Sequence, residues 1–148
     1  NTGWAGQPSS ILAKMPEWHN LSTGRLMVFK LGGQEKLPPL PPQSELPRPP
    51  RLTADETVVR EGAKLFAETC STCHGKDARG GLKDLRWMTP ETHEDYMDIV
   101  LDGKRTEKGM ASFADILTRE QAEAIHQYII ARANEDWAEE VAKGAAAQ

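Results

Sequence analysis

The chain has 148 residues, enough for one ordinary domain plus an appendage, and its formal net charge of −4 argues against a general nucleic-acid binder. Its 39% apolar and 6% aromatic content is thin for a core built from side chains alone, and a large apolar cofactor would fill the shortfall. No apolar run approaches the roughly 20 residues of a membrane-spanning helix, and two cysteines alone, Cys70 and Cys73, exclude a long-range disulfide framework and a four-cysteine zinc site.

Asn1-Thr2-Gly3 opens the chain without an initiator Met or the basic-then-apolar pattern of a secretory signal, so the chain reads as a processed form or an excised piece. Residues 1–37 come first. Their clearest element is Gly24-Arg25-Leu26-Met27-Val28-Phe29-Lys30-Leu31-Gly32-Gly33, an apolar run of strand formers bracketed by glycines. A lone strand does not stand in water, so this one calls for a pairing partner.

Residues 38–51 hold seven of the ten prolines: Pro38, Pro39, Pro41, Pro42, Pro47, Pro49 and Pro50. Proline fixes φ and removes amide donors, which predicts an extended, semi-rigid spacer between two folded units, or else a strap lying on one of them.

From residue 52 the pattern turns helical, and the fold class is all-α. Thr53 with Glu56 three residues on has the form of a capping box, opening a helix that runs to about Thr69 with Val58, Val59, Gly62, Leu65 and Phe66 on or near one side. Thr89-Pro90 opens a second helix, with His93, Tyr96, Met97, Val100 and Leu101 on one face and Gly103 as its stop. Thr118 with Gln121 opens the last, which turns Ala122, Ile125, Tyr128 and Ile129 inward and either continues through Trp137 and Val141 or frays after Asn134.

Between the first two helices lies Cys70-Ser71-Thr72-Cys73-His74, a C-x-x-C-H run. This is the attachment signature of c-type haem: two thiols at a helix end bond one edge of the porphyrin, and the adjacent imidazole lies under the iron. Its second ring nitrogen then needs an acceptor to fix the ring. A thioredoxin-like redox pair would sit in a βαβ context, which is not visible here. A zinc site would need two more ligands from His19, His74, His93 and His126, without any H-x₃₋₅-H pair.

Candidates for a sixth iron ligand are Met88, Met97, Met110, His93 and His126. Met97 and both histidines fall on helices, where packing or a satisfied imidazole is the simpler role, and Met88 follows His74 closely enough to pack beneath the loop. Met110 stands in Lys108-Gly109-Met110-Ala111-Ser112-Phe113, a loop just before the last helix, and is favoured. A thioether raises the reduction potential relative to a second histidine.

These residues resemble a class I cytochrome c fold around one covalent haem, over about residues 53–133. In that family the first and last helices cross near the haem, a small residue meeting an aromatic. Gly62 and Phe66 match its Gly-x-x-x-aromatic pattern, with Tyr128 or Ile129 as partners. The Met110 loop resembles the family's Gly-Met-Pro-x-Phe ligand loop, with Ala111 where Pro is common. Cys70 to Gly75, Gly80-Gly81, Asp84-Leu85-Arg86 and the Met110 loop together resemble the C-terminal cytochrome domain of quinohaemoprotein alcohol dehydrogenases. There a propeller holding pyrroloquinoline quinone (PQQ) and a divalent metal precedes the cytochrome through a Pro-rich linker.

The resemblance implies that residues 1–37 are the end of such a propeller, 38–51 the linker and 52–148 the cytochrome. It implies single-electron relay from PQQ to an external acceptor (a ubiquinone-linked complex, another cytochrome or an electrode) in the periplasm or outside the cell. It makes Arg86 a propionate partner, as against a solvated surface arginine, and gives Trp87 a propionate hydrogen bond or a covering role. Lys83 stands where such cytochromes often have Pro, which leaves the acceptor for His74 open. Two other readings stay in view: a free-standing soluble electron shuttle, and a ligand-binding or peroxidatic haem protein.

Overall fold

The structure, a computed structural model, describes residues 30–34, 36 and 46–146, with side chains through residue 142. The chain divides into two units, Asn1–Glu45 and Leu46–Gln148. In the first, residues 30–33 form a turn in which the Gly33 amide donates to the Lys30 carbonyl at 3.0 Å. Most of the strand expected over residues 24–31 lies outside the described residues.

The second unit is helical, with no strand among its described residues. Helix α1 spans Glu56–Thr69. Its N-cap is Asp55, whose carboxylate accepts from the amides of Thr57 and Val58 at 2.8 and 3.1 Å. The capping box expected from Thr53 and Glu56 therefore does not form, and the cap is Asp55, two residues further on. Both Thr53 and Asp55 are good caps, but the Thr53 amide and hydroxyl donate instead to Gln127 Oε1, at 3.3 and 3.4 Å.

Helix α2, Ser71–His74, follows α1 after Cys70 alone. Thr89 caps α3, Pro90–Glu94, through the Thr92 amide at 3.3 Å, with Pro at the first position as expected. The second helix is not continuous: Asp95 leaves helical ψ and binds Lys104 at 2.6 Å, and α4 resumes at Tyr96–Val100. The expected face survives this break, since His93, Tyr96 and Val100 are buried and Met97 and Leu101 half-buried.

Helix α5, Arg119–Ala146, opens with the expected reciprocal box: the Thr118 amide donates to Gln121 Oε1 at 2.9 Å and the Gln121 amide to Thr118 Oγ1 at 3.2 Å. It continues through Trp137 and Val141.

The core is the crossing of α1 and α5. At Gly62 an added Cβ would sit 1.9 Å from the Ala124 carbonyl oxygen and 3.0 Å from Tyr128 Cβ. One turn on, the Phe66 and Tyr128 rings lie 5.3 Å apart at 53°. Among the described residues Phe66 and Ile125 are the largest side chains fully withdrawn from water, each contributing about 1.5–3 kcal/mol of apolar burial. This is the small-residue-against-aromatic crossing that the cytochrome resemblance implies.

Candidate haem site

The end of α1 sets the site. Cys70 closes α1 and caps α2, so both thiols and His74 leave one helical corner together. Cys70 is half-buried beside Thr69, its sulfur 3.2 Å from Thr69 Oγ1, and burial pushes its thiol pKa up. Cys73 is exposed, and the two thiols are free.

Beyond His74 the chain folds back on the corner. Gly75 and Gly81 both take positive φ, +75° and +65°. A Cβ on Gly81 would stand 2.3 Å from the Cys73 carbonyl oxygen and 2.8 Å from the Gly75 nitrogen, so only glycine allows this return. The Leu82 amide then donates to the Cys73 carbonyl at 2.7 Å.

Next along the chain is Lys83, whose carbonyl oxygen lies 3.0 Å from His74 Nδ1. A carbonyl can only accept, so Nδ1 carries the proton and Nε2 keeps the lone pair. The acceptor that the sequence left open is the Lys83 main chain. Because the main chain supplies it, the acceptor does not depend on a Pro side chain at this position.

The Met110 loop is anchored by its backbone. The Met110 amide donates to the Arg105 carbonyl at 3.2 Å, and Gly109 before it has φ +89°. The Phe113 amide donates to the Val100 carbonyl at 2.8 Å, and the Ser112 hydroxyl to that of Leu101. Met110 is half-buried and packs with Phe113 against the core.

The competing ligands are occupied elsewhere. Met88 is a buried core residue, and Met97 packs on the same cluster. His93 Nδ1 and His126 Nε2 are 2.9 Å apart, and the His126 ring stacks on Tyr96 at 4.0 Å. Among the described residues no group of three or more His, Cys, Asp or Glu is placed to hold a metal ion.

The chain is similar to known proteins. The family described as cytochrome c oxidase, cbb3-type, subunit III matches residues 57–129. Quinohemoprotein alcohol dehydrogenase ADH-IIG of Pseudomonas putida is 40% identical over 140 residues, 90% of this chain and 19% of that protein. The dehydrogenase subunit of the quinone alcohol dehydrogenase of Acetobacter aceti is 35% identical over 145 residues, 94% of this chain and 19% of that one. A solved structure of ADHIIG from Pseudomonas putida HK5 superposes with a TM-score of 0.61 at 44% identity, over 72% of this chain and 16% of that one.

The chain carries a cytochrome c domain of the quinohaemoprotein alcohol dehydrogenase type. It spans about a fifth of the length of these relatives.

In this cytochrome Arg86 is not a solvated arginine. Its side chain is 10% exposed and donates through Nε and Nη2 to Asp84 and through Nη1 to Asp136. Two guanidinium N–H groups take no partner among the described residues. Trp87 ends the 3₁₀ turn Leu85–Trp87, half-buried.

Asp136 and Arg79 are parts of the site that sequence reasoning did not single out, and it named Asp84 and Lys83 without giving them these contacts. Asp84 carried a usable signal, an Asp two residues before an Arg that its carboxylate caps. Asp136 carried none, being one acidic residue on a helix tail.

Proposed function

We propose that this chain is the electron-relay end of a quinohaemoprotein dehydrogenase. Cys70 and Cys73 would hold haem c by adding S–H across its vinyl groups, His74 Nε2 and Met110 sulfur would ligate the iron, and Trp87 would lie against the ring. The observation that carries this is the hydrogen bond from His74 Nδ1 to Lys83 O, which leaves Nε2 as the ligating nitrogen on a corner already bearing both thiols. Bound haem supplies reversible one-electron chemistry at its iron.

The chain's own part is to fix the ring of His74, to offer a thioether from a loop tied at Val100 and Leu101, and to keep water from the core behind Phe66 and Ile125. Arg86 keeps two N–H groups that suit a propionate. Residues 1–37 would belong to a preceding propeller with PQQ and its divalent metal, residues 38–51 to a linker whose end, from Leu46, lies on the cytochrome, and 52–148 to the cytochrome. Electrons would pass from PQQ through this domain, in the periplasm or outside the cell, to an external acceptor: a ubiquinone-linked complex, another cytochrome or an electrode. No described helix is long and apolar enough to cross a membrane.

Two measurements test the reading. Mass spectrometry of the denatured protein should find one haem retained on the peptide containing Cys70 and Cys73, and a haem-free peptide would refute the attachment. The natural reading frame should encode a propeller upstream; a frame with only a signal peptide there would leave a free-standing carrier.

A further inference from the structure

The segment that delivers the Lys83 carbonyl to His74 runs from Arg79 to Arg86, and both of its ends are held by one side chain. Asp136 on α5 accepts from Arg79 through Nε at 3.0 Å and through Nη2, and from Arg86 Nη1 at 3.0 Å. Its carboxylate is 6% exposed and carries three charge-assisted hydrogen bonds, each stronger than a neutral one. Between these ends, Asp84 accepts from the amide and guanidinium of Arg86, locking the turn that directly follows Lys83. Two carboxylates face two guanidiniums, so the buried cluster is electrically balanced.

We propose that Asp136 is a positioning residue for the iron ligand: it clamps Arg79 and Arg86 at the two ends of the loop and so holds the Lys83 carbonyl on His74 Nδ1. This rests on the haem reading above. A carbonyl held on Nδ1–H makes the imidazole a stronger donor and favours oxidised iron. A loosened loop lengthens that bond, and the reduction potential rises.

Charge alone gives a different pattern, which makes the proposal testable in the haem-loaded full-length protein. Asp136→Asn removes a negative charge, so charge and positioning both raise the potential. Arg79→Gln removes a positive charge, so charge alone lowers the potential whereas a freed loop raises it. Arg79 is 31% exposed in its side chain, so this variant keeps the test open where Asp136→Asn fails to fold.

The expected result is a raised potential in Arg79→Gln, with the His74 Nδ1–H of the reduced protein exchanging with water about tenfold faster or more by NMR. A lowered potential with unchanged exchange would overturn the clamp and leave the cluster as packing. Haem released from wild-type protein on denaturation would overturn the haem reading instead, and the clamp's role with it.

Discussion

At the scale of single residues, the site separates groups that hold from groups that titrate. Buried His93 and half-buried His126 form an imidazole pair that the iron reading does not use. Burial and the facing His126 push the His93 pKa down to about 4, and burial pushes that of His126 down as well, partly offset by Glu123. One proton can be shared across the pair. Two would set N–H against N–H at 2.9 Å.

The unfolded chain therefore binds more protons than the native one between about pH 6.5 and pH 4, and stability rises with pH across that window. Acidification from pH 7 to pH 4 should cost about 2–3 kcal/mol through this pair. His93→Gln should flatten the denaturant-derived stability curve across that window; an unflattened curve would show that the pair does not titrate with folding. Met110 makes the complementary prediction. Met110→Ala should lower the reduction potential and remove the weak far-red sulfur-to-iron band of the oxidised protein, and a retained band would assign the sixth ligand elsewhere.

At the scale of elements, the α1–α5 crossing is the least tolerant point of the fold. Any Cβ at Gly62 meets main chain of α5, which cannot rotate away as a side chain can. Gly62→Ala should destabilise by about 1–3 kcal/mol, the range for overpacking, despite its better helix propensity. A thermal melt unchanged from wild type would mean that the helices stand further apart.

The N-terminus of α1 gives a second contrast. Asp55→Ala should cost about 1 kcal/mol as a lost cap, whereas Glu56→Ala should leave the melt nearly unchanged, because Glu56 lacks the role that a Thr53 box would give it. The crossing was legible through the resemblance to class I cytochromes c, whose Gly-x-x-x-aromatic pattern Gly62 and Phe66 match. The sequence misplaced the cap because two capping residues two positions apart look alike locally. What decides between them is Gln127, 74 residues from Thr53. The break at Asp95 was illegible for a similar reason, since the apolar face runs through it unbroken.

At the scale of the whole molecule, the stretch just before the helices belongs to the cytochrome unit, from Leu46. Arg48 lies over the Trp137 ring at 5.6 Å, and Asn134 Nδ2 donates to the Pro50 carbonyl at 2.8 Å. Gln127 Oε1 takes the Thr53 and Ala54 amides at 3.3 and 3.4 Å.

Proline suits such a strap. Its missing N–H leaves no donor to satisfy, and its fixed φ lowers the entropy lost on docking. Composition alone left spacer and strap in balance, since prolines predict an extended chain in either case. The contacts with Gln127, Asn134 and Trp137 favour a strap over residues 46–54, with any spacer confined to residues before it.

The two accounts diverge when the chain is shortened. A haem-loaded protein starting at Leu46 should melt like the full chain. One starting at Asp55 keeps the α1 cap but loses the strap, and should be less stable by about 2–4 kcal/mol from the lost hydrogen bonds and apolar cover. Its haem spectrum should be unchanged, because the strap touches α5 at Gln127 and Asn134 rather than the C-x-x-C-H corner. Equal melting of the two truncated proteins would return these residues to the role of a passive tether.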